Sequence, residues 1–203
     1  MQFHPGEPLR GTAAVLGPAM ASSSPDSAAA KALPARDERG RFQPPENWLT
    51  LADVFTQLNL TRCRLAVLNG CESAMLHPSV TDDAESLTTG FLFAGAPAVV
   101  STLWAVWDIS AALLMDKFHE LRKAGHKPAD ALHEAARWLR QDIRTGRQLI
   151  AEILPPFLAR VDDKKVRDRC AEIAQKHANR FLDSPPFEKP GHWAAFIASG
   201  AVF

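Results

Sequence analysis

With 203 residues, 46% of them hydrophobic and 23% charged, the chain suffices for one α/β domain or slightly more, and it can bury a core. Lysine plus arginine and aspartate plus glutamate both number 23, so no net field favours nucleic acid or an anionic membrane surface. No apolar run approaches the roughly 20 residues that cross a bilayer, which excludes a helical membrane span.

No basic segment followed by an apolar one opens the chain, so no secretory signal is expected. Residues 1–16 read as a loop with Pro5, Gly6 and Pro8 leading to an edge strand or hairpin. Residues 19–47 are rich in Ser, Ala, Pro and charge and lack periodicity, which predicts a flexible insertion. Trp48 and Leu49 restart order. Thr50 then precedes a short helix with Leu51, Val54, Phe55 and Leu58 on one face.

The central stretch runs from Arg64 to Trp107. Its first apolar run, Leu65 to Leu68, reads as a buried strand that stops at Asn69-Gly70, with Cys71 directly after the turn. A polar loop, a helix over Glu85 to Ala94 and a second buried run, Ala98 to Leu103, follow. Strand, crossover, strand is a βαβ unit and predicts a parallel sheet. In open sheets of this kind the ligand crevice lies beyond the carboxyl ends of the strands. A thiol at such an end is a candidate nucleophile.

Asp108 is placed to cap a helix over Ile109 to Ala124, with Leu114, Phe118 and Leu121 inward and Gly125 as its stop. Pro128 suits the first turn of another helix reaching about Arg144, with Leu132, Ala135, Ala136 and Leu139 inward and Gly146 as terminator. A helical piece over Arg147 to Leu154 is expected to break at Pro155-Pro156. A further helix over Phe157 to Phe181 aligns Val166, Cys170, Ile173, His177 and Phe181 on one face. Residues 155–185 thus read as a helical insertion before a final strand, Trp193 to Ala198.

Three widely spaced cysteines, Cys63, Cys71 and Cys170, form neither a zinc pattern nor an even disulfide framework. No metal or organic cofactor is expected, and a reducing, cytoplasmic setting fits. Cys63 and Cys170 fall at a strand entrance and on an apolar helix face, so both read as core.

RLAVLNGCESA, AGAPAVVSTLWAVWD and the terminal HWAAFIASG together resemble the CHAT domain, a caspase-like, separase-related cysteine peptidase family often attached to tetratricopeptide repeats. The matching residues are Cys71 and Glu72, Phe91 to Ala96, Ser101 to Trp104, Asp108, and Trp193 to Phe196, with Phe3 to Leu9 and Trp48 to Phe55 fitting upstream. The resemblance covers most of residues 1–203 as a single partial domain. It implies a caspase-like three-layer α/β fold, with a mainly parallel sheet flanked by helices and its N-terminal part missing.

The activity it implies is endopeptidase cleavage of a protein partner by a Cys/His dyad. Cys71 is the nucleophile, and the backbone N–H groups at Gly70 and Cys71, with that of the family's His-Gly turn, would hold the oxyanion. The resemblance places the family's catalytic histidine, part of a His-Gly or His-Ala pair, just before Met1. It therefore implies a chain truncated short of its base and inactive as it stands. His4 is the candidate within the chain, although it falls in the following loop. Glu72, Asp82, Asp83 and Asp108 are candidate substrate-binding acids, since acidic groups line the pocket in related peptidases that prefer basic residues. The expected partner is a protein substrate or regulatory protein, tetratricopeptide-repeat proteins among them. The alternative is a non-catalytic CHAT-like remnant that serves as an interaction module.

Overall fold

The computed structural model describes residues 51–69 and 86–201. It is a mixed helix-and-sheet structure with a three-stranded sheet in the order β1-β2-β3, where β1 is Ala66–Val67, β2 Ala98–Thr102 and β3 Phe196–Gly200. Two compact units share these residues. The first runs to Ser101 and takes in Ser199–Ala201, and the second spans Thr102–Ala198.

In the first unit, helix α1 (Leu51–Gln57) buries Val54 completely and sets Phe55 against Phe93 with ring centroids 5.3 Å apart. Phe93 ends helix α2 (Leu87–Phe93), whose N-cap Ser86 accepts the Thr89 N–H at 3.1 Å. β1 and β2 run parallel with Ala66 opposite Val99 and Val67 opposite Val100. Parallel neighbours need a crossover, and α2 lies on it. All five residues of β2 are buried, as its unbroken apolar start requires of a strand covered on both faces. Ala66, Leu68, Ala96 and Val99 form the core here, with Cys63, Leu87 and Phe91 packed against it.

Gly95 makes the turn from α2 into β2 at a φ of +104°, and a Cβ there would lie 3.1 Å from the Thr61 backbone nitrogen. Only glycine accepts both the left-handed backbone and that approach. The Ala-Gly-Ala element is therefore a turn whose chemistry the strand depends on.

In the second unit, α3 (Asp108–Lys123) and α4 (Pro128–Gln141) pack together across a short link. α3 buries Ile109, Ser110, Leu113, Leu114, Met115 and Phe118, a broader stripe than the expected one, and Leu121 is only half-buried. α4 buries Ala131, Leu132, Ala135 and Leu139. Asp108 is the first helical residue of α3, not its cap. Trp107 holds the N-cap backbone position without a side-chain hydrogen bond. α4 ends at Gln141, short of Arg144, and Gly146 begins the next helix instead of ending this one.

The proline pair does not break the chain into two helices. Helix α5 (Gly146–Gln148) continues through a π-helical turn, Leu149–Ile153, into α6 (Leu154–Ala159). The Leu154 N–H bonds the Leu149 carbonyl, five residues back. Pro155 and Pro156 donate no N–H, and their rings would strike carbonyls one turn earlier in a regular α-helix. The wider π turn gives those rings room. The interruption comes later, at Arg160 to Asp163, where Asp163 caps α7 (Lys164–Ala178) by accepting the Val166 N–H at 2.9 Å.

α7 buries Ala174 and Ala178, whereas Val166 is 51% exposed and Cys170 and Ile173 are half-buried. The apolar stripe expected to face inward is therefore rotated partly out. The reason is a close helix approach: a Cβ on Gly146 would sit 2.1 Å from the Ala178 carbonyl oxygen. Only small residues fit where the two backbones come that near.

The expected last strand begins three residues late. Pro190–His192 forms a 3-10 turn, and β3 starts at Phe196. The Leu103 N–H donates to the Ala195 carbonyl at 2.8 Å, and the Ala201 N–H to the Pro97 carbonyl at 2.7 Å. These pairs run in opposite senses along the chain, so β3 is antiparallel to β2 and the described sheet is mixed, not mainly parallel.

Candidate functional site

The candidate site is the carboxyl end of β1. Past Val67 the ladder continues for one more bond, from the Leu68 N–H to the Val100 carbonyl at 2.7 Å, and Asn69 is then exposed. The backbone therefore leaves the ladder immediately before Gly70 and Cys71 in the sequence. On the neighbouring strand, Ser101 is fully buried and its Oγ accepts the Thr88 hydroxyl at 2.8 Å. That bond fixes the register of α2 against β2. The frame from which a nucleophile turn would project is thus a buried, hydrogen-bonded strand pair.

Gly70, Cys71, Glu72, Asp82, Asp83 and His4 lie outside the described residues. Asp108 lies inside them. Exposed in the first turn of α3, it faces a groove of about 290 Å³ lined also by Trp107, Ile109, Arg169, Ile173 and Lys176. Its carboxylate also acts on Cys170, whose thiol pKa is raised first by burial and then by Asp108. A thiol held protonated in this way is a poor nucleophile. Cys170 and Cys63 are both free and half-buried, and Cys63 packs on the core beside β1.

Sequence reasoning assigned no role to the histidine–serine cluster that the second unit builds. His192 is 8% exposed and shares a 2.7 Å hydrogen bond between its Nδ1 and the Ser110 hydroxyl. His177 stacks on Phe187 with centroids 5.1 Å apart, and its Nε2 bonds the Pro186 carbonyl at 2.9 Å. The two imidazoles meet edge to face at 5.4 Å. Burial first, then His177 and Lys189, lower the pKa of His192. Ser110 is fully buried, so no substrate carbonyl can reach its oxygen. The pair is a structural tie between α3 and the approach to β3. The signal available in sequence was a serine on the helix stripe and the Gly191-His192-Trp193 turn, 82 residues apart.

Among the described residues no group of three His, Cys, Asp or Glu side chains could hold a metal ion, and no helix is long and apolar enough to cross a membrane. No curated protein and no solved structure matches the chain. The CHAT domain family model matches residues 12–201, a span that includes Cys71, the β1–β2 frame, the helices of the second unit and β3. A match over that extent, in the order in which the strands and helices follow one another, makes the chain a member of the CHAT domain family, which is related to the caspase-like peptidases.

Proposed function

We propose that the chain is a cysteine endopeptidase domain that cleaves a protein partner with Cys71 as nucleophile, on a caspase-like layered sheet. The observation that supports this most is the family match running through Cys71, which follows in the sequence directly after a parallel strand pair whose β2 member is fully buried. In the reaction a histidine takes the Sγ proton, and the thiolate adds to the scissile carbonyl carbon. Backbone N–H groups at Gly70 and Cys71 hold the oxyanion. Collapse breaks the C–N bond, the imidazolium protonates the leaving amine, and water then hydrolyses the thioester. His4 is the base candidate in this reading, and Glu72, Asp82, Asp83 and Asp108 are the candidate contacts to a basic substrate side chain. The free thiols of Cys63 and Cys170 suit a reducing, cytoplasmic setting.

A panel of peptidyl ketone probes with basic and neutral residues before the electrophile tests the assignment. Labelling of the wild type that vanishes in Cys71→Ala and persists in Cys63→Ala and Cys170→Ala is the expected result. Equal labelling of wild type and Cys71→Ala overturns it. His4→Ala should abolish labelling if His4 is the base. An Asp108→Lys chain with unchanged cleavage preference removes Asp108 from the substrate site.

The second reading is a non-catalytic interaction module that binds a regulatory partner, tetratricopeptide-repeat proteins among them. It is favoured by His192, buried against Ser110, and by His177, stacked on Phe187 and bonded to the Pro186 carbonyl: both rings serve packing within the second unit. Absence of probe labelling in a folded wild-type chain supports it.

A further inference from the structure

Amphipathic helices in a folded domain normally turn their apolar stripe inward. α7 does not: it buries Ala174 and Ala178 and leaves Val166 and, in part, Ile173 at the surface. Val166 and Ile173 are two turns apart on one face. Beside Ile173 the start of α3 presents Trp107, 64% exposed, and the two helices enclose the groove of about 290 Å³. Tryptophan is enriched among the residues that dominate binding surfaces, and Trp107 on an apolar groove beside Ile173 suits that use.

The rim of this groove is chemically biased. Arg169, Lys176 and Arg180 stand on it against Asp108 and Glu172. Glu172 is already spent on Arg169, at 3.0 Å, and no ion pair engages Lys176 or Arg180 among the described residues. The surplus is cationic and lies toward the C-terminal end of α7.

We propose that this groove docks an acidic amphipathic helix of a partner protein, with apolar anchors over Ile173 and Trp107 and carboxylates reaching Lys176 and Arg180. Two helices flanking a shallow apolar trough take a third helix by the usual groove mode, with anchors at i, i+4 and i+7. Charge on the rim sets orientation and speeds encounter, and the apolar centre supplies most of the affinity. This surface does not depend on Cys71 chemistry, so it stands whether or not the domain is a peptidase.

The test uses the full chain and a fluorescein-labelled stapled peptide with Leu at i, i+4 and i+7 and Glu at the flanking positions. Anisotropy should report saturable binding that weakens with added salt. Trp107→Ala and the double variant Lys176→Glu/Arg180→Glu should each reduce affinity about tenfold or more, and Cys71→Ala should leave it unchanged. Trp107, Lys176 and Arg180 are exposed, and circular dichroism melts confirm that the variants fold. A Lys-for-Glu version of the peptide should fail to bind. Binding that ignores the variants, or equal binding of the Lys version, overturns the proposal. So does displacement of the peptide by a nucleoside triphosphate at stoichiometric concentration, which would make the groove a nucleotide site. A Trp107-dependent dimer in sedimentation also overturns it, by assigning the face to a second copy of the chain.

Discussion

The hydrogen bond between Ser110 and His192 shows how a single residue couples stability to pH. His192 has its pKa lowered from the ordinary 6.5, by burial first and by His177 and Lys189 after that. The unfolded chain therefore binds a proton more readily than the folded one in the window below 6.5. Stability contributed by the neutral imidazole is complete above that value and is lost as pH falls through the window. Chemical denaturation between about pH 5 and pH 8 should show wild type losing stability on the acid side. The slope should flatten in His192→Gln. Ser110→Ala strands a buried nitrogen and should cost about 2 kcal/mol at neutral pH; a loss no larger than that of an exposed serine would contradict the tie. Residue roles of this sort were half legible. Cys63 and Cys170 read as packing cysteines and are half-buried, one on the core and one with a suppressed thiol. Ser110 read as nothing, because its partner is distant in the chain and arrives only through the fold.

At the scale of elements, helix contacts were set by the smallest side chains and not by the largest. Gly146→Ala would gain under 1 kcal/mol of intrinsic helix preference, about what removing a helical glycine returns. It would also place a methyl 2.1 Å from the Ala178 oxygen, where backbone must move. Overpacking of that severity costs about 3 kcal/mol and wins, so a urea midpoint clearly below wild type is expected. Asp163→Ala removes the cap of α7 and should cost about 1 kcal/mol in the same measurement. Hydrophobic spacing located nearly every described helix, since a period of 3.6 is local information. It misjudged which face of α7 turns inward, because the close approach at Gly146 and Ala178 involves atoms of two helices. It also misread Pro155-Pro156, since a π turn can absorb prolines that would end a regular helix.

For the whole molecule, equal counts of 23 acidic and 23 basic side chains leave no net charge at pH 7 to keep copies apart. Solubility in polyethylene glycol should pass through a minimum near neutrality and rise on either side; a flat profile would show that charge is not what limits it. Composition, the strand–crossover–strand pattern and the ordered motifs around Cys71 determined by themselves that this is a mixed α/β chain of the CHAT family, because those signals are short-range along the chain. Tertiary structure alone decided the antiparallel placement of β3, the burial of Ser110 against His192, and the outward turn of Val166 and Ile173. Each of these joins segments far apart in the chain, and such contacts exist only once the backbone has folded and the excluded volume of one helix limits where the next can lie.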